Sequence, residues 1–169
     1  MKKILVLALL LASFLTFSQA ADDKLTMTTT AGKTLHITGT EGGLVFDEYK
    51  GKIVFLEFFG HKCPPCIKSI PHYKNLQKKY KDKLAIVAVE VHGMSEAQLK
   101  AFVKENGINY TTVSQDKSGE LVSYISVRAQ WQGSIPFLVI LDKKGDVQLV
   151  QVGMLPEEAL EDAIKQLSK

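Results

Sequence analysis

Hydrophobic residues along this chain form short unbroken runs in some places and recur every three or four positions in others. The unbroken runs at residues 53–59 and 84–91 contain almost no polar side chains. Runs of this length and composition are typical of strands that are covered on both faces of a sheet. We therefore predict two buried strands here, with residues 53–59 at the centre of the sheet.

The longest helical pattern follows residue 63, where the apolar positions are Ile67, Ile70, Tyr73, Leu76 and Tyr80. Pro71 lies within this stretch, and because proline removes one backbone hydrogen bond we expect it to kink the helix. Ser95 and Gln98 have the spacing of a capping box, which predicts a second helix that ends at Gly107.

The remaining elements are shorter. Helical spacing predicts a helix near residues 120–125 and a last helix over residues 156–167. Segments of strand length predict two hairpins, at residues 25–38 and 137–152, and a further strand near residues 110–113. Parallel strands need helical crossovers and hairpins do not. This order therefore predicts an α/β fold with a central mixed β-sheet flanked by helices and an N-terminal β-hairpin extension.

The N-terminus has the composition of a secretory signal peptide. Lys2 and Lys3 precede an apolar stretch of 14 residues at positions 4–17, and Ser18-Gln19-Ala20 forms a small-x-small cleavage site. A membrane-spanning helix needs roughly 20 apolar residues, so cleavage after Ala20 is favoured over an uncleaved anchor. We predict a signal peptide at residues 1–20 and one domain at residues 21–169, located in the periplasm or otherwise outside the cytoplasm.

Length and charge limit the class of the exported domain. Its 149 residues suit one domain whose hydrophobic core needs no disulfide cross-links. The chain has a formal net charge of +3, and removing Lys2 and Lys3 leaves +1. This near-neutral balance gives no indication of a nucleic-acid partner. The two cysteines are therefore available for chemistry.

The motif Cys63-Pro64-Pro65-Cys66 is the strongest candidate for catalysis. At the first turn of a helix, unpaired N–H groups and the helix dipole stabilise a thiolate, so we expect the pKa of Cys63 to be lowered. Cys63, facing solvent, would attack a disulfide, and the covered Cys66 would resolve the mixed disulfide. His61 and Lys62 either add positive potential or are ordinary loop residues.

Two other uses of such a cysteine pair are a zinc site and a structural disulfide. Zinc needs further ligands at set spacings, whereas the histidines are scattered at His36, His61, His72 and His92. A structural disulfide that closes so small a ring constrains the unfolded chain little. Redox catalysis is the favoured interpretation, with the disulfide as the redox group and no separate cofactor.

Glu57 interrupts the central apolar run six positions before Cys63. We expect this acid to lie beneath the cysteines, partly buried, with a pKa raised by desolvation. In that position it can relay a proton to or from Cys66. The alternative is an acid at a strand end that reaches water.

Ile135, Pro136 and Trp131 are the candidate substrate-binding residues. Pro136 directly precedes a predicted strand, and in a fold of this order it faces the cysteine motif across a loop. A cis Ile135-Pro136 bond would leave the Ile135 backbone free to pair with a substrate strand. Trp131 is either an exposed platform for substrate or a core residue.

These features resemble the thioredoxin superfamily, and most closely its exported TlpA-like branch of ResA-type and CcmG-type reductases. The resemblance covers residues 25–167 and rests on four segments: residues 51–59, the cysteine motif with Pro71, Ile135-Pro136, and residues 141–146. By resemblance, Cys63 is the nucleophile, Cys66 the resolving thiol, Glu57 the buried acid and Pro136 the cis-proline.

Three residues around the motif depart from the family pattern. Lys62 replaces an aromatic residue, Phe59 replaces a tryptophan, and Ser69 replaces a glutamate. These positions bear on the choice of partner more than on the fold.

The resemblance implies a reductase that receives electrons from a membrane thiol reductase of the DsbD or CcdA kind. It would pass them to protein disulfides, with apocytochrome c as one suggested substrate. One alternative is a thiol oxidase similar to DsbA, which residues 56–59 also resemble. Another is a copper(I)-binding module, because soft thiolates suit that ion.

Overall fold

The computed structural model describes residues 23–169. The predicted signal peptide, residues 1–20, lies outside the described residues. Within the described part of the chain, no helix combines the length and the apolar character needed to cross a membrane.

Three short strands at the N-terminus form a small antiparallel sheet in the order β1-β2-β3. They are β1 (Asp23–Thr28), β2 (Thr34–Gly39) and β3 (Leu44–Phe46). The predicted hairpin is confirmed as β1 and β2. The third strand was not predicted, because three residues are too few to show an alternating pattern.

A mixed sheet of five strands forms the centre of the domain, in the order β6-β5-β4-β7-β8. The strands are β4 (Ile53–Phe59), β5 (Leu84–Glu90), β6 (Thr111–Ser114), β7 (Phe137–Leu141) and β8 (Val147–Val152). β4, β5 and β6 are parallel, whereas β7 is antiparallel to both β4 and β8. The predicted mixed sheet is confirmed, with residues 53–59 at its centre.

Four α-helices of the described part of the chain flank this sheet. They are α1 (Pro64–Lys79), α2 (Glu96–Glu105), α3 (Leu121–Arg128) and α4 (Glu157–Leu167). α1 continues through Pro71 as one helix. The predicted capping box of α2 is present, because Ser95 Oγ accepts from the Gln98 N–H and Gln98 Oε1 accepts from the Ser95 N–H.

β4 is buried along its whole length, and its side chains alternate between two cores. Val54, Leu56 and Phe58 face the small N-terminal sheet and α3. Ile53 and Phe55 face the opposite side, where α1 and α4 pack. Since α1 follows β4 after a four-residue connection and packs on it, the first turn of α1 is fixed at the end of the central strand.

Candidate active site

A disulfide between Cys63 and Cys66 lies at the start of α1, with the two Cα atoms 5.2 Å apart. Cys63 is the N-cap residue of the helix, and its Sγ accepts a hydrogen bond from the Cys66 N–H at 3.3 Å. Pro64 and Pro65 fill the first helical positions, where a backbone N–H is not needed. The predicted start of the helix at this motif is confirmed.

The two cysteines differ in exposure, at 7% for Cys63 and 1% for Cys66. The predicted order is therefore observed, although Cys63 is more covered than the prediction of a solvent-facing residue implied. The first turn of α1 contains no acidic residue. No negative side chain there opposes an anionic sulfur at the positive end of the helix dipole.

The residues before Cys63 form a tight turn, closed by a hydrogen bond from the Cys63 N–H to the Gly60 carbonyl at 3.1 Å. Glycine is required at position 60 because neighbouring side chains approach its backbone closely. An added Cβ would lie 2.5 Å from Nδ1 of His92 and 2.8 Å from Cδ1 of Ile135. The turn that carries Cys63 therefore packs directly against the loop before β7.

That loop contains the predicted cis bond between Ile135 and Pro136. The Ile135 side chain packs against the cluster that holds both cysteines. Within residues 23–169, neither the N–H nor the C=O of Ile135 has a backbone hydrogen-bond partner. Both groups are available beside the disulfide, which is the arrangement that pairing with an extended substrate strand requires.

Trp131 is a core residue, so the alternative of an exposed substrate platform is wrong. Its exposed fraction is 8%, and its ring stacks on Phe137 at a centroid distance of 5.1 Å and lies 4.8 Å from Phe58. The indole Nε1–H donates to the Ser134 carbonyl at 2.7 Å. Trp131 therefore anchors the loop that ends in Pro136 by packing, and its buried position does not support the predicted contact with substrate.

Glu57 lies within β4, opposite Ala88 of β5, and is 2% exposed. Glu57 and Phe59 lie on the same face of β4, and Phe59 belongs to the buried cluster that contains Cys63 and Cys66, so the acid lies on the side of the sheet that carries the disulfide. The alternative of an acid that reaches water is wrong. Burial raises the pKa of Glu57 well above its usual value, and the neighbouring Tyr73 hydroxyl offsets part of this rise.

Two tyrosines complete the surroundings of Glu57. The rings of Tyr73 and Tyr110 meet edge to face at a centroid distance of 6.1 Å. Burial raises the pKa of both hydroxyls, and a negative charge on Glu57 raises them further. Both hydroxyls therefore stay protonated at neutral pH. Within residues 23–169, Oε1 of Glu57 has no hydrogen-bond partner.

Glu90 is a second buried acid at the site, and the sequence prediction missed it. It ends β5, has an exposed fraction of 0%, and accepts four hydrogen bonds. Oε1 accepts from His61 Nδ1 at 2.9 Å, from the His92 N–H at 3.1 Å and from the His61 N–H at 3.4 Å, while Oε2 accepts from the Met94 N–H at 2.9 Å. A single acid at the end of an apolar run was the available signal. His61 is therefore part of a structured pair and not an ordinary loop residue.

No cluster of three or more His, Cys, Asp or Glu side chains that could hold a metal ion occurs within residues 23–169.

Comparison with known proteins identifies thioredoxin-like relatives, several of them named thiol-disulfide oxidoreductases. A family model described as thioredoxin-like matches residues 51–147. Thioredoxin-like protein YneN of Bacillus subtilis is 35% identical over 117 residues, which are 68% of this chain and 65% of that protein. The match thus spans less than two thirds of YneN. Thiol-disulfide oxidoreductase ResA of Bacillus thuringiensis is 32% identical over 134 residues, 78% of this chain and 73% of ResA.

Among solved structures, the exposed lipoprotein thioredoxin of Streptococcus pneumoniae is similar with a TM-score of 0.65 and 26% identity. The similarity covers 85% of this chain and 99% of that one. The segment matched by the family model contains both cysteines, Glu57 and the cis-proline loop. The chain belongs to the thioredoxin-like family and is a thiol-disulfide oxidoreductase related to ResA.

Proposed function

We propose that this protein is an exported reductase that passes two electrons from the Cys63 and Cys66 thiols to disulfides of other proteins. One observation carries the proposal: the disulfide at the start of α1 lies beside the unpaired backbone of Ile135. A substrate strand paired with Ile135 would place its own cysteine next to Cys63.

The reaction begins with the reduced protein. The Cys63 thiolate attacks one sulfur of the substrate disulfide, a Cys63–substrate bond forms, and the second substrate sulfur leaves as a thiolate. Cys66 then loses its proton and attacks Cys63 Sγ, which releases the first substrate sulfur and closes the disulfide. The substrate gains two electrons from the two enzyme sulfurs, and the protons lost by the Cys63 and Cys66 thiols balance those taken up by the two substrate thiolates.

Glu57 is proposed to exchange the proton of Cys66 in the second step. It faces the side of the sheet on which the buried cluster that contains Cys66 lies. The rise of its pKa on burial brings a carboxyl group closer to the working pH, where proton exchange is most efficient. Among residues 23–169, Oε1 of Glu57 has no hydrogen-bond partner, which leaves that atom free to take up a proton.

The proposed location is outside the cytoplasm, on the strength of the predicted signal peptide at residues 1–20 and of the pneumococcal relative described as an exposed lipoprotein. A reductase in that location must be recharged across the membrane. A membrane thiol reductase of the DsbD or CcdA kind is therefore the proposed electron donor. Oxidised apocytochrome c, with its pair of cysteines, is the proposed substrate class.

Trapping tests this proposal directly. In a Cys66→Ala variant the second step is blocked, so substrates should remain bound to Cys63 as mixed disulfides in the native host. The matched control is the double variant with Cys63→Ala, which should trap none. Oxidised cytochrome c precursors among the trapped proteins would support the proposed substrate class, and an absence of trapped proteins would contradict it.

The reduction potential tests the direction of electron flow. A reductase should have a value in the range of glutaredoxins and thioredoxin, roughly −200 to −270 mV. A value near −120 mV, as for DsbA, would instead establish the oxidase alternative.

A further inference from the structure

His61 and Glu90 form a hydrogen-bonded pair at the turn that carries Cys63. Glu90 is completely buried, and His61 retains 20% of its side-chain exposure. The carboxylate holds both the ring and the backbone of His61, through Nδ1 at 2.9 Å and the N–H at 3.4 Å. The imidazole is thus fixed within the turn of residues 60–63, and His61 lies two positions before Cys63 in the sequence.

This arrangement determines which ring nitrogen can exchange a proton. A carboxylate only accepts hydrogen bonds, so Nδ1 of His61 carries a hydrogen towards Glu90. Nε2 is then the nitrogen that gains or loses a proton. A carboxylate that orients a histidine in this way is the orienting half of the nucleophile–base–orienter arrangement used in several hydrolases.

We propose that Glu90 is a positioning residue for thiol–disulfide exchange: it fixes His61 so that Nε2 exchanges a proton with the sulfur atoms that react at Cys63. In the first step, Nε2 takes the proton of the Cys63 thiol before attack. It returns that proton to the substrate sulfur that leaves when the substrate disulfide breaks. The proton is conserved, and the electrons move only between sulfurs.

The titratable groups around His61 are few among the described residues. Glu90 binds it from β5, and the ring of His92, from the loop after β5, lies edge to face at a centroid distance of 6.5 Å. Lys62 and Cys63 follow it in the same turn, and the neighbouring loop before β7 contributes Ile135, which carries no charge. The pH response of Cys63 should therefore depend mainly on His61, Glu90 and His92.

The test measures the alkylation of Cys63 by iodoacetamide from pH 5 to 9, in the reduced protein with Cys66→Ala so that only one thiol reacts. The profile of the unsubstituted protein, in which the rate rises as the Cys63 thiolate forms, is the reference. His61→Asn should lower the rate at pH 7 about fivefold, because it removes the imidazole that takes the Cys63 proton and then faces the thiolate as a cation. Glu90→Gln should do the same, and the double variant should lose no more than either single variant.

The N-terminal sheet offers a matched control. Glu48 binds His36 as Glu90 binds His61, through Nδ1 at 2.8 Å and the backbone N–H at 2.9 Å, but on the surface and away from the cysteines. His36→Asn and Glu48→Gln should leave the alkylation profile unchanged. If they change it as much as the site variants do, the effect is a general one of charge and the proposal is overturned.

Two further results would also overturn the role of Glu90. One is a Glu90→Gln variant that is folded, as judged by near-ultraviolet circular dichroism, and has the same alkylation profile as the unsubstituted protein. The other is additive losses in Glu90→Gln and His61→Asn. If Glu90→Gln does not fold, the His61→Asn variant decides. An unchanged alkylation profile in that variant would show that His61 does not act on Cys63, so that Glu90 would have no group to position.

The role of Glu90 rests on the proposed exchange chemistry but not on its direction, substrate or location. Alkylation reports on Cys63 alone, so failed trapping and an altered potential would contradict the proposed reductase without affecting this result.

Discussion

Two buried acids lie on adjacent central strands, and their surroundings are opposite. Glu57 in β4 and Glu90 in β5 are 2% and 0% exposed. Four N–H groups donate to the Glu90 carboxylate, whereas Oε1 of Glu57 has no partner within residues 23–169. The same residue type is therefore an anchor on one strand and, on the other, the group that we propose exchanges a proton.

The difference follows from position along the strand. Glu57 lies in the middle of β4, where the surrounding backbone N–H groups are used in pairing with β5 and β7. Glu90 is the last residue of β5, and the N–H groups of His92 and Met94 lie beyond the ladder and turn towards its carboxylate. A buried carboxylate is stabilised where donors converge and becomes easier to protonate where they do not.

The largest expected effect is on the resolving step. Glu57→Gln keeps the shape of the side chain but cannot take up the Cys66 proton, so resolution of a mixed disulfide should slow by about 100-fold, the usual contribution of a general acid or base. Stopped-flow measurement of the release of a peptide from its mixed disulfide with Cys63 reports this step.

The same variant provides the control for that measurement. Alkylation of Cys63 in Glu57→Gln should remain within about twofold of the unsubstituted protein, because the proposed proton path of Cys63 runs through His61 and not through Glu57. A resolving step that is unaffected by Glu57→Gln would show that the two acids do not differ in the way proposed.

The next largest effect is on the free energy of unfolding, which should fall by about 2–4 kcal/mol when Glu90, but not Glu57, is replaced by leucine. Glu90→Leu removes the acceptor of three backbone N–H groups in a buried place, and each unsatisfied donor costs about 1–3 kcal/mol before relaxation. Glu57→Leu removes a carboxyl group that has an unpaired atom, so stability should stay equal or increase. Denaturant unfolding of the oxidised protein measures both, and equal losses in the two variants would contradict the comparison.

Local patterns were sufficient to predict the scaffold but not the contacts between loops. The continuous apolar run of β4, the prolines at the start of α1 and the capping box at Ser95 are all encoded within a few neighbouring residues. Glu57 was found because it breaks such a run. Glu90 was missed because its partners His61 and Met94 come from two different loops, which only the folded chain brings together.

The position of Trp131 likewise could not be predicted from local sequence patterns. The sequence left open whether its ring faces solvent or core, since no periodic pattern exists in that loop. The structure settles the point through packing on Phe58 and Phe137, which belong to two neighbouring strands of the sheet.

The dependence of stability on pH should give a smaller signature of Glu57. Its pKa in the folded state is raised by burial, so the folded state binds this proton more tightly than the unfolded state does. The contribution of Glu57 to stability is complete below the unfolded pKa and is lost as pH rises towards the folded value.

Between pH 5 and 6, the free energy of unfolding of the unsubstituted protein should therefore fall by about 1 kcal/mol relative to Glu57→Gln. Urea titrations at the two pH values measure this difference. An equal change in the free energy of unfolding of the two proteins between pH 5 and 6 would mean that Glu57 is ionised in the folded state, as an anchored acid would be.

The smallest expected effect belongs to Tyr73, the residue whose hydroxyl partly offsets the rise in the pKa of Glu57. Tyr73→Phe keeps the buried ring and its edge-to-face packing on Tyr110 but removes this offset. The pKa of Glu57 should then rise further, and the decline of stability with pH should extend to higher pH. The free energy of unfolding itself should change by no more than about 1 kcal/mol, the usual net contribution of one polar contact.

Tyr110→Phe is the matched control, because Tyr110 is not among the groups that lower the pKa of Glu57. If both variants shift the pH dependence equally, the ring environment and not the Tyr73 hydroxyl controls the Glu57 proton.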